Sequence, residues 1–269
     1  MRYIRSFSQI RLADLPLVGG KNASLGEMYQ QLTPKGLKIP DGFAITADGY
    51  WAFLTHNQLT DQIHQLLTDL PNNDLAKLQQ TGQLIRNLII NGQMPTDLKD
   101  EIIQAYGQLE QEYHPMLEVA IRSSATAEDL PGASFAGQQE TYLNISGGRN
   151  IVHTVKRVFA SLFTNRAISY RMDKGFDHIK VALSVTVQKM ARSDKGSSGV
   201  MFTLDTESGF RNVVLINAAY GLGENVVQGA VNPDEYLVHK PTLEAGFSPI
   251  LKRQLGEKAI RMVYSDDAF

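Results

Sequence analysis

The chain has 269 residues, of which 43% are hydrophobic and 20% charged, enough apolar material for one large domain or two small ones and too much for a disordered chain. With 26 Lys and Arg against 28 Asp and Glu, the formal net charge is -2, which argues against whole-chain attraction to nucleic acid. Cysteine is absent, so disulfides, thiolate zinc sites and a cysteine nucleophile are excluded together. No apolar run approaches the ~18 residues of a membrane span, and the first 20 residues carry arginines without a continuous apolar stretch, so no secretory leader is expected. The expected setting is the cytoplasm.

In chain order, residues 21–32 place Leu25, Met28, Tyr29 and Leu32 at helical spacing, with Gly36 as a stop. Residues 43–46 read as a strand. Residues 47–59 put Tyr50, Trp51, Phe53 and Leu54 on a helix. Residues 73–91 predict another, with Leu75, Leu78, Leu84 and Ile85 inward and Asn73 or Asp74 as cap. A helix opening at Pro95 or Thr96 carries Leu98, Ile102, Ile103, Tyr106 and Leu109 as its apolar stripe.

Near residue 117 the character changes. Residues 117–122 predict a strand, followed by a long loop of small residues from Ser123 to Glu140. Residues 149–173 predict a helix burying Val155, Val158, Phe159, Leu162 and Phe163. Strands are expected over 181–189, 199–204, 212–216 and 235–239. The pattern predicts an α+β protein: a helix-rich lobe over 1–115 and a mixed lobe over 116–269 whose mainly antiparallel sheet continues to the end.

Three glycine-marked loops could do chemistry. Val18-Gly19-Gly20-Lys21-Asn22 stands before the first helix, where glycines let the backbone approach an anion and Lys21 supplies a mobile charge. A plain turn with a helix cap explains the same residues. Arg122 ends a strand beside Ser123-Ser124-Ala125-Thr126, Gly132 and Gly137, with Glu140 and Thr141 opening a returning strand. A guanidinium grips oxyanions through two N–H groups, and small residues leave backbone donors open; a structural arginine under a surface loop is the alternative. Gly221-Leu222-Gly223-Glu224 does not continue into G-x-G-x-x-G, which disfavours a dinucleotide site. The strand 185–190 ends in Gln188 and Met190, a polar edge and an apolar face suited to an adenine ring, or simply a solvent-facing rim. Six scattered histidines form no H-x-x-x-H pair, and G-x-S-x-G is absent.

Taken in order, VGGKNASLGEM, IPDGFAIT, AIRSSATAEDLPGASFAGQQETYLN, VQKM, GVMFT and YGLGENVVQGAVNPDEYLVHKP resemble the N-terminal ATP-binding domain of the phosphoenolpyruvate synthase (pyruvate, water dikinase) family. The resemblance runs from about residue 8 to the end. It implies an ATP-grasp-like fold, with ATP and Mg²⁺ as cofactors, in an enzyme converting ATP, pyruvate and water to phosphoenolpyruvate, AMP and phosphate. By motif position, Lys21 and Arg122 would hold the polyphosphate, the segment from Gly137 to Thr141 would close over it, and Gln188 with Met190 would flank the base. The family's phosphohistidine and pyruvate-binding barrel belong to other domains, and its Mg²⁺ ligands are expected beyond Phe269. On this reading the domain is truncated at its C-terminus and inactive as an isolated chain. Its partners are ATP, pyruvate only through the missing domains, and a complementing chain that carries those domains, with neither nucleic acid nor membrane. The ATP-binding domain of a rifampin-type antibiotic phosphotransferase shares these loops, and a non-catalytic nucleotide-binding remnant is the third reading.

Overall fold

Apolar residues at alternate positions, Phe43 and Ile45, Val119 and Ile121, Val185 and Val187, dictate strands that turn one face to a core. The computed structural model of the chain describes residues 1–68, 70–71, 74–126 and 140–265, and joins these strands in one antiparallel sheet. Its strands are β1 (Ile4–Ser6), β2 (Gly42–Ile45), β3 (Val119–Ala125), β4 (Thr141–Ile145) and β5 (Leu183–Lys189), in the order β1-β2-β5-β3-β4. Phe43 lies opposite Val187, and Val187 opposite Ile121, so the apolar positions of three strands share a face.

Seven helices of this unit follow from the same patterning: α1 (Leu15–Leu32), α2 (Ala47–His56), α3 (Leu59–Thr68), α4 (Leu75–Asn91), α5 (Thr96–Glu112), α6 (Gly148–Ser161) and α7 (Asn165–Lys174). Tyr50 and Phe53 of α2, Ile85 and Ile89 of α4, Ile102 and Tyr106 of α5 and Phe159 of α6 join the apolar strand residues in one core. The Phe159 ring stands edge-on to Tyr50, with centroids 5.3 Å apart. Asp74 caps α4 by accepting from the Lys77 N–H at 2.8 Å. At the other end of α4 the Lys156 ammonium donates to the carbonyls of Ile90 and Gly92, where a cation suits the helix dipole.

Two compact units divide the chain, residues 1–190 and 191–269. The second holds its own antiparallel sheet of β6 (Ser197–Phe202), β7 (Val213–Tyr220), β8 (Asp234–His239) and β9 (Ile250–Gln254), in that order, with the short helices α8 (Glu224–Val227) and α9 (Lys240–Glu244). Asp234 is bound there by the Lys258 ammonium and the Gly256 N–H, which holds its carboxyl below the usual range. Gly221 adopts φ 81°, and a Cβ on it would meet the Met262 carbonyl oxygen at 2.3 Å, so this glycine serves a close backbone approach.

Several expectations are corrected. The sheet expected to continue to the end is two sheets, and the change of character near residue 115 falls inside the first unit, because β2 and β3 both pair with β5. The helix predicted over 149–173 is two, since Thr164 caps a new start by accepting from the Ala167 N–H. Leu75 and Leu84 of α4 are 80% and 46% exposed, and Ile103 of α5 is 39% exposed. The buried line of α4 is Thr81, Gly82, Ile85 and Ile89 instead, and small residues there let the neighbouring helix approach. Met28 also points outward, at 39% exposure. Among the described residues, no helix is long and apolar enough to cross a membrane.

Candidate functional site

The face of the first sheet opposite the core is polar. Pairing places Arg122 and Ser124 of β3, Ser184, Thr186 and Gln188 of β5, and Gly42 and Ala44 of β2 on this side, with Arg122 directly opposite Thr186 and Thr141. Helix α1 packs here over a small apolar cluster of Phe7, Ile10, Val18, Ala23, Leu25 and Ala44.

A break in α1 builds the first part of the site. Gly19 has φ 75° and ψ 164°, backbone that only glycine enters without strain, and the helix restarts after it. A Cβ at Gly19 would lie 2.4 Å from the Ser124 carbonyl oxygen, so a side chain is excluded twice over. Gly20 and Lys21 therefore open a second helical segment beside β3, where backbone N–H groups lack intrahelical acceptors. The side chain of Lys21 is exposed.

Asn22 pins this restart to the sheet. Its N–H donates to the Ser124 hydroxyl at 3.2 Å, and its amide nitrogen donates to the Val18 carbonyl and the Ser184 hydroxyl, both at 3.0 Å. Its amide oxygen accepts from the Thr186 hydroxyl at 2.8 Å. Ser184 in turn donates to the Ile45 carbonyl at 2.7 Å. Asn22, Ser124, Ser184 and Thr186 are all 0% exposed, so every link of this network is shielded from water. Thr186 touches Asn22 and stands opposite Arg122, which brings the restart of α1 close to the guanidinium.

Arg122 is the charged centre of the face. Its Nη2 donates to the Gln188 side-chain oxygen at 2.7 Å, while its Nε is buried without a partner among the described residues. Burial alone lowers its pKa from the ordinary arginine value. A guanidinium held out of water beside neutral groups is costly, and an anion would offset that cost. Gln188 also donates to the Pro40 carbonyl at 2.9 Å. Met190 follows β5, with its N–H on the Glu118 carbonyl at 2.9 Å. Thr141 is exposed at the start of β4. Gly137 lies outside the described residues.

The first unit thus carries Lys21, Arg122, Thr141, Gln188 and Met190, with Arg122, Thr141 and Gln188 neighbours across three strands. Sequence reasoning missed the roles of Asn22, Ser124, Ser184 and Thr186. A signal existed: Ser184, Thr186 and Gln188 alternate with Leu183, Val185 and Val187, which marks one polar face on an otherwise apolar strand. A separate cavity of about 670 Å³ lies by Arg5, Asp14, Asp41 and Glu112 and includes none of the predicted residues. Burial there raises the Asp41 carboxyl, and burial together with Asp41 pushes the Tyr29 phenol up to about 12.

A family model described as the pyruvate phosphate dikinase AMP/ATP-binding domain matches residues 15–268. The phosphoenolpyruvate synthase of Helicobacter pylori is 56% identical over 266 residues, covering 98% of this chain and 33% of that protein. That of Synechocystis is 57% identical over 263 residues, covering 96% and 32%. That of Escherichia coli is 52% identical over 259 residues, covering 96% and 33%. The chain spans about a third of the length of these curated relatives. A match that starts within α1 and runs through both compact units decides the family: the chain belongs to the pyruvate phosphate dikinase AMP/ATP-binding domain family.

Proposed function

We propose that the chain is the ATP-binding portion of a phosphoenolpyruvate synthase, with an ATP-grasp-like fold and its polyphosphate site on the polar face of the first sheet. The observation that carries this reading is Arg122, a guanidinium held by the neutral Gln188 amide and, among the described residues, with a buried Nε that has no partner. Relatives named phosphoenolpyruvate synthase, at 52% to 57% identity, support it over an antibiotic phosphotransferase or a remnant without turnover.

The fit of a polyphosphate rests on two features, the orphaned Arg122 Nε and the Gly19 break that brings the helix restart against Ser124. Arg122 and Lys21 would neutralise phosphate oxygens, and backbone N–H groups at the helix restart would add directed donors. The Thr141 hydroxyl would donate from the neighbouring strand, the Gly137 segment would close over the phosphates, Met190 would flank the base, and Gln188 stands beside Arg122. ATP supplies a transferable phosphoryl group, and phosphoryl transfer asks the protein mainly for positioning and charge neutralisation. Mg²⁺ is proposed as the companion of the polyphosphate. Among the described residues no group of three or more His, Asp or Glu is placed to hold a metal, so no step is assigned to the ion. In the complete enzyme the proposed reaction converts ATP, pyruvate and water to phosphoenolpyruvate, AMP and phosphate.

The test has two arms. Calorimetric titration with ATP in the presence of Mg²⁺ is expected to give one site per chain; absence of binding would overturn the reading. Adding a polypeptide that carries the remaining two thirds of a relative is expected to yield pyruvate-dependent AMP and phosphoenolpyruvate together. Saturable ATP binding without any product in that mixture would favour a nucleotide-binding module.

A further inference from the structure

Gln188 is joined to Arg122 more directly than to any other group of the site. Arg122 stands opposite Thr186 across the β3–β5 ladder, and Gln188 is the next residue of β5 on the same face. Diagonal neighbours in a sheet are about 7–8 Å apart, a gap two long side chains can close. They do so here at 2.7 Å, the Gln188 amide oxygen accepting from Arg122 Nη2. The amide nitrogen donates to the Pro40 carbonyl at 2.9 Å, just ahead of β2. This orientation of the amide is forced, because flipping it would set N–H against N–H on one side and oxygen against oxygen on the other.

We infer that Gln188 is a positioning residue for Arg122, fixing the guanidinium over β5 so that its remaining N–H edge faces an incoming polyphosphate. The inference rests on the proposed ATP site and narrows it: Gln188 acts on the phosphates through Arg122 and does not read the base. Three observations support it. Both ends of the amide are engaged, one on the guanidinium and one on the main chain. The Pro40 carbonyl is a fixed anchor, since the neighbouring Asp41 carbonyl accepts from the Lys189 N–H at 2.9 Å and β2 is paired on both sides. Nη2 of Arg122 is tied to Gln188, and Nε has no acceptor among the described residues, so Gln188 is the group that orients the guanidinium there. A guanidinium already oriented loses less freedom when it takes a ligand.

The experiment compares ATP, GTP and inorganic tripolyphosphate, the last a probe with no base at all, by calorimetric titration of the 269-residue chain. Variants are Gln188→Met, which keeps the volume and removes both hydrogen bonds, and Gln188→Glu, which keeps the length and an acceptor but neutralises the guanidinium. Each is also combined with Arg122→Ala. Gln188→Met is expected to weaken ATP, GTP and tripolyphosphate by a common factor of about tenfold, with no further loss in the Arg122→Ala background. Gln188→Glu is expected to remain folded at the titration temperature and still weaken tripolyphosphate, which separates positioning from a folding defect. Unchanged tripolyphosphate binding in both variants, or a loss confined to ATP with a changed ATP-to-GTP ratio, would overturn the inference while leaving the ATP site standing. Equal ATP affinity in wild type and Arg122→Ala would instead overturn the ATP-site reading, and the inference with it.

Discussion

The two faces of the first sheet are made by the same strands and do opposite work. On one side Phe43, Ile45, Val119, Ile121, Val185 and Val187 meet the helices in a continuous apolar core. On the other, the residues between them, Ser124, Ser184, Thr186, Arg122 and Gln188, form hydrogen-bonded links that hold the α1 restart and one guanidinium. A period of two lets a seven-residue strand contribute to both at once. Two arginines sharpen the contrast. Arg171 is 0% exposed, lies over the Phe163 ring at 5.5 Å and donates from Nε to His178 Nδ1 at 2.9 Å, while its Nη1 and Nη2 have no partner among the described residues. Arg122 is only partly enclosed, and its Nη2 is held by the Gln188 amide on the polar face. Apolar residues on the first face set stability, and polar ones on the second set what can bind.

If that division is right, substitutions on each face move different observables. The largest effect is expected from Phe159→Ala, which empties an aromatic position in the core and should cost about 3–5 kcal/mol in urea unfolding. The ATP affinity of the protein still folded should be unchanged. Asn22→Ala should cost about 1–3 kcal/mol, because the Ser184 and Thr186 hydroxyls lose a buried partner. Unlike Phe159→Ala it should also weaken ATP binding, since the Gly20-Lys21 restart loses its anchor; a variant that loses stability alone would break the comparison.

His178 carries one part of the acid limb of stability. Burial, followed by the Arg171 charge, pulls the His178 imidazole down to about 4 from 6.5. Between those values the unfolded chain binds the extra proton, so the contribution is fully present above pH 6.5 and is lost as pH falls through about 4. Urea midpoints measured from pH 7 to pH 4 should fall, with a shallower slope in His178→Gln. The smallest effect is expected from Thr141→Ala, which removes one exposed hydroxyl beside Arg122 and should weaken ATP binding by about 0.5–1.5 kcal/mol without moving the thermal midpoint.

How much of this is legible in the chain depends on how local each signal is. The Asp74 cap of α4, the strands of Phe43 and Val185 and the Arg122–Thr141 return are written in adjacent residues, and the structure has them. Leu84 misleads because Ile85, beside it, takes the inward position. The break at Thr164 is hidden because the residues from Val158 to Phe163, directly before it, are all buried. All five residues of β9 are exposed, so no alternation announces that strand. The polar network is hidden for a different reason: Asn22 reaches Ser124, Ser184 and Thr186 across 102, 162 and 164 residues of sequence, and only the sheet brings them together. Lys21, Arg122, Gln188 and Met190 stand out in the sequence as types, whereas the bond that joins Gln188 to Arg122 needs the strand register.

The central claim is that the Arg122 guanidinium on the polar face binds the ATP polyphosphate as a planar, oriented fork. Titrating ATP with Mg²⁺ into wild type, Arg122→Ala and Arg122→Lys tests it most directly. The account predicts a loss of about 1.5–3 kcal/mol for Arg122→Ala and a comparable loss for Arg122→Lys, because an ammonium keeps the charge and lacks the fork. Affinity in Arg122→Ala equal to that of the wild type, from protein with an unchanged thermal midpoint, would contradict it.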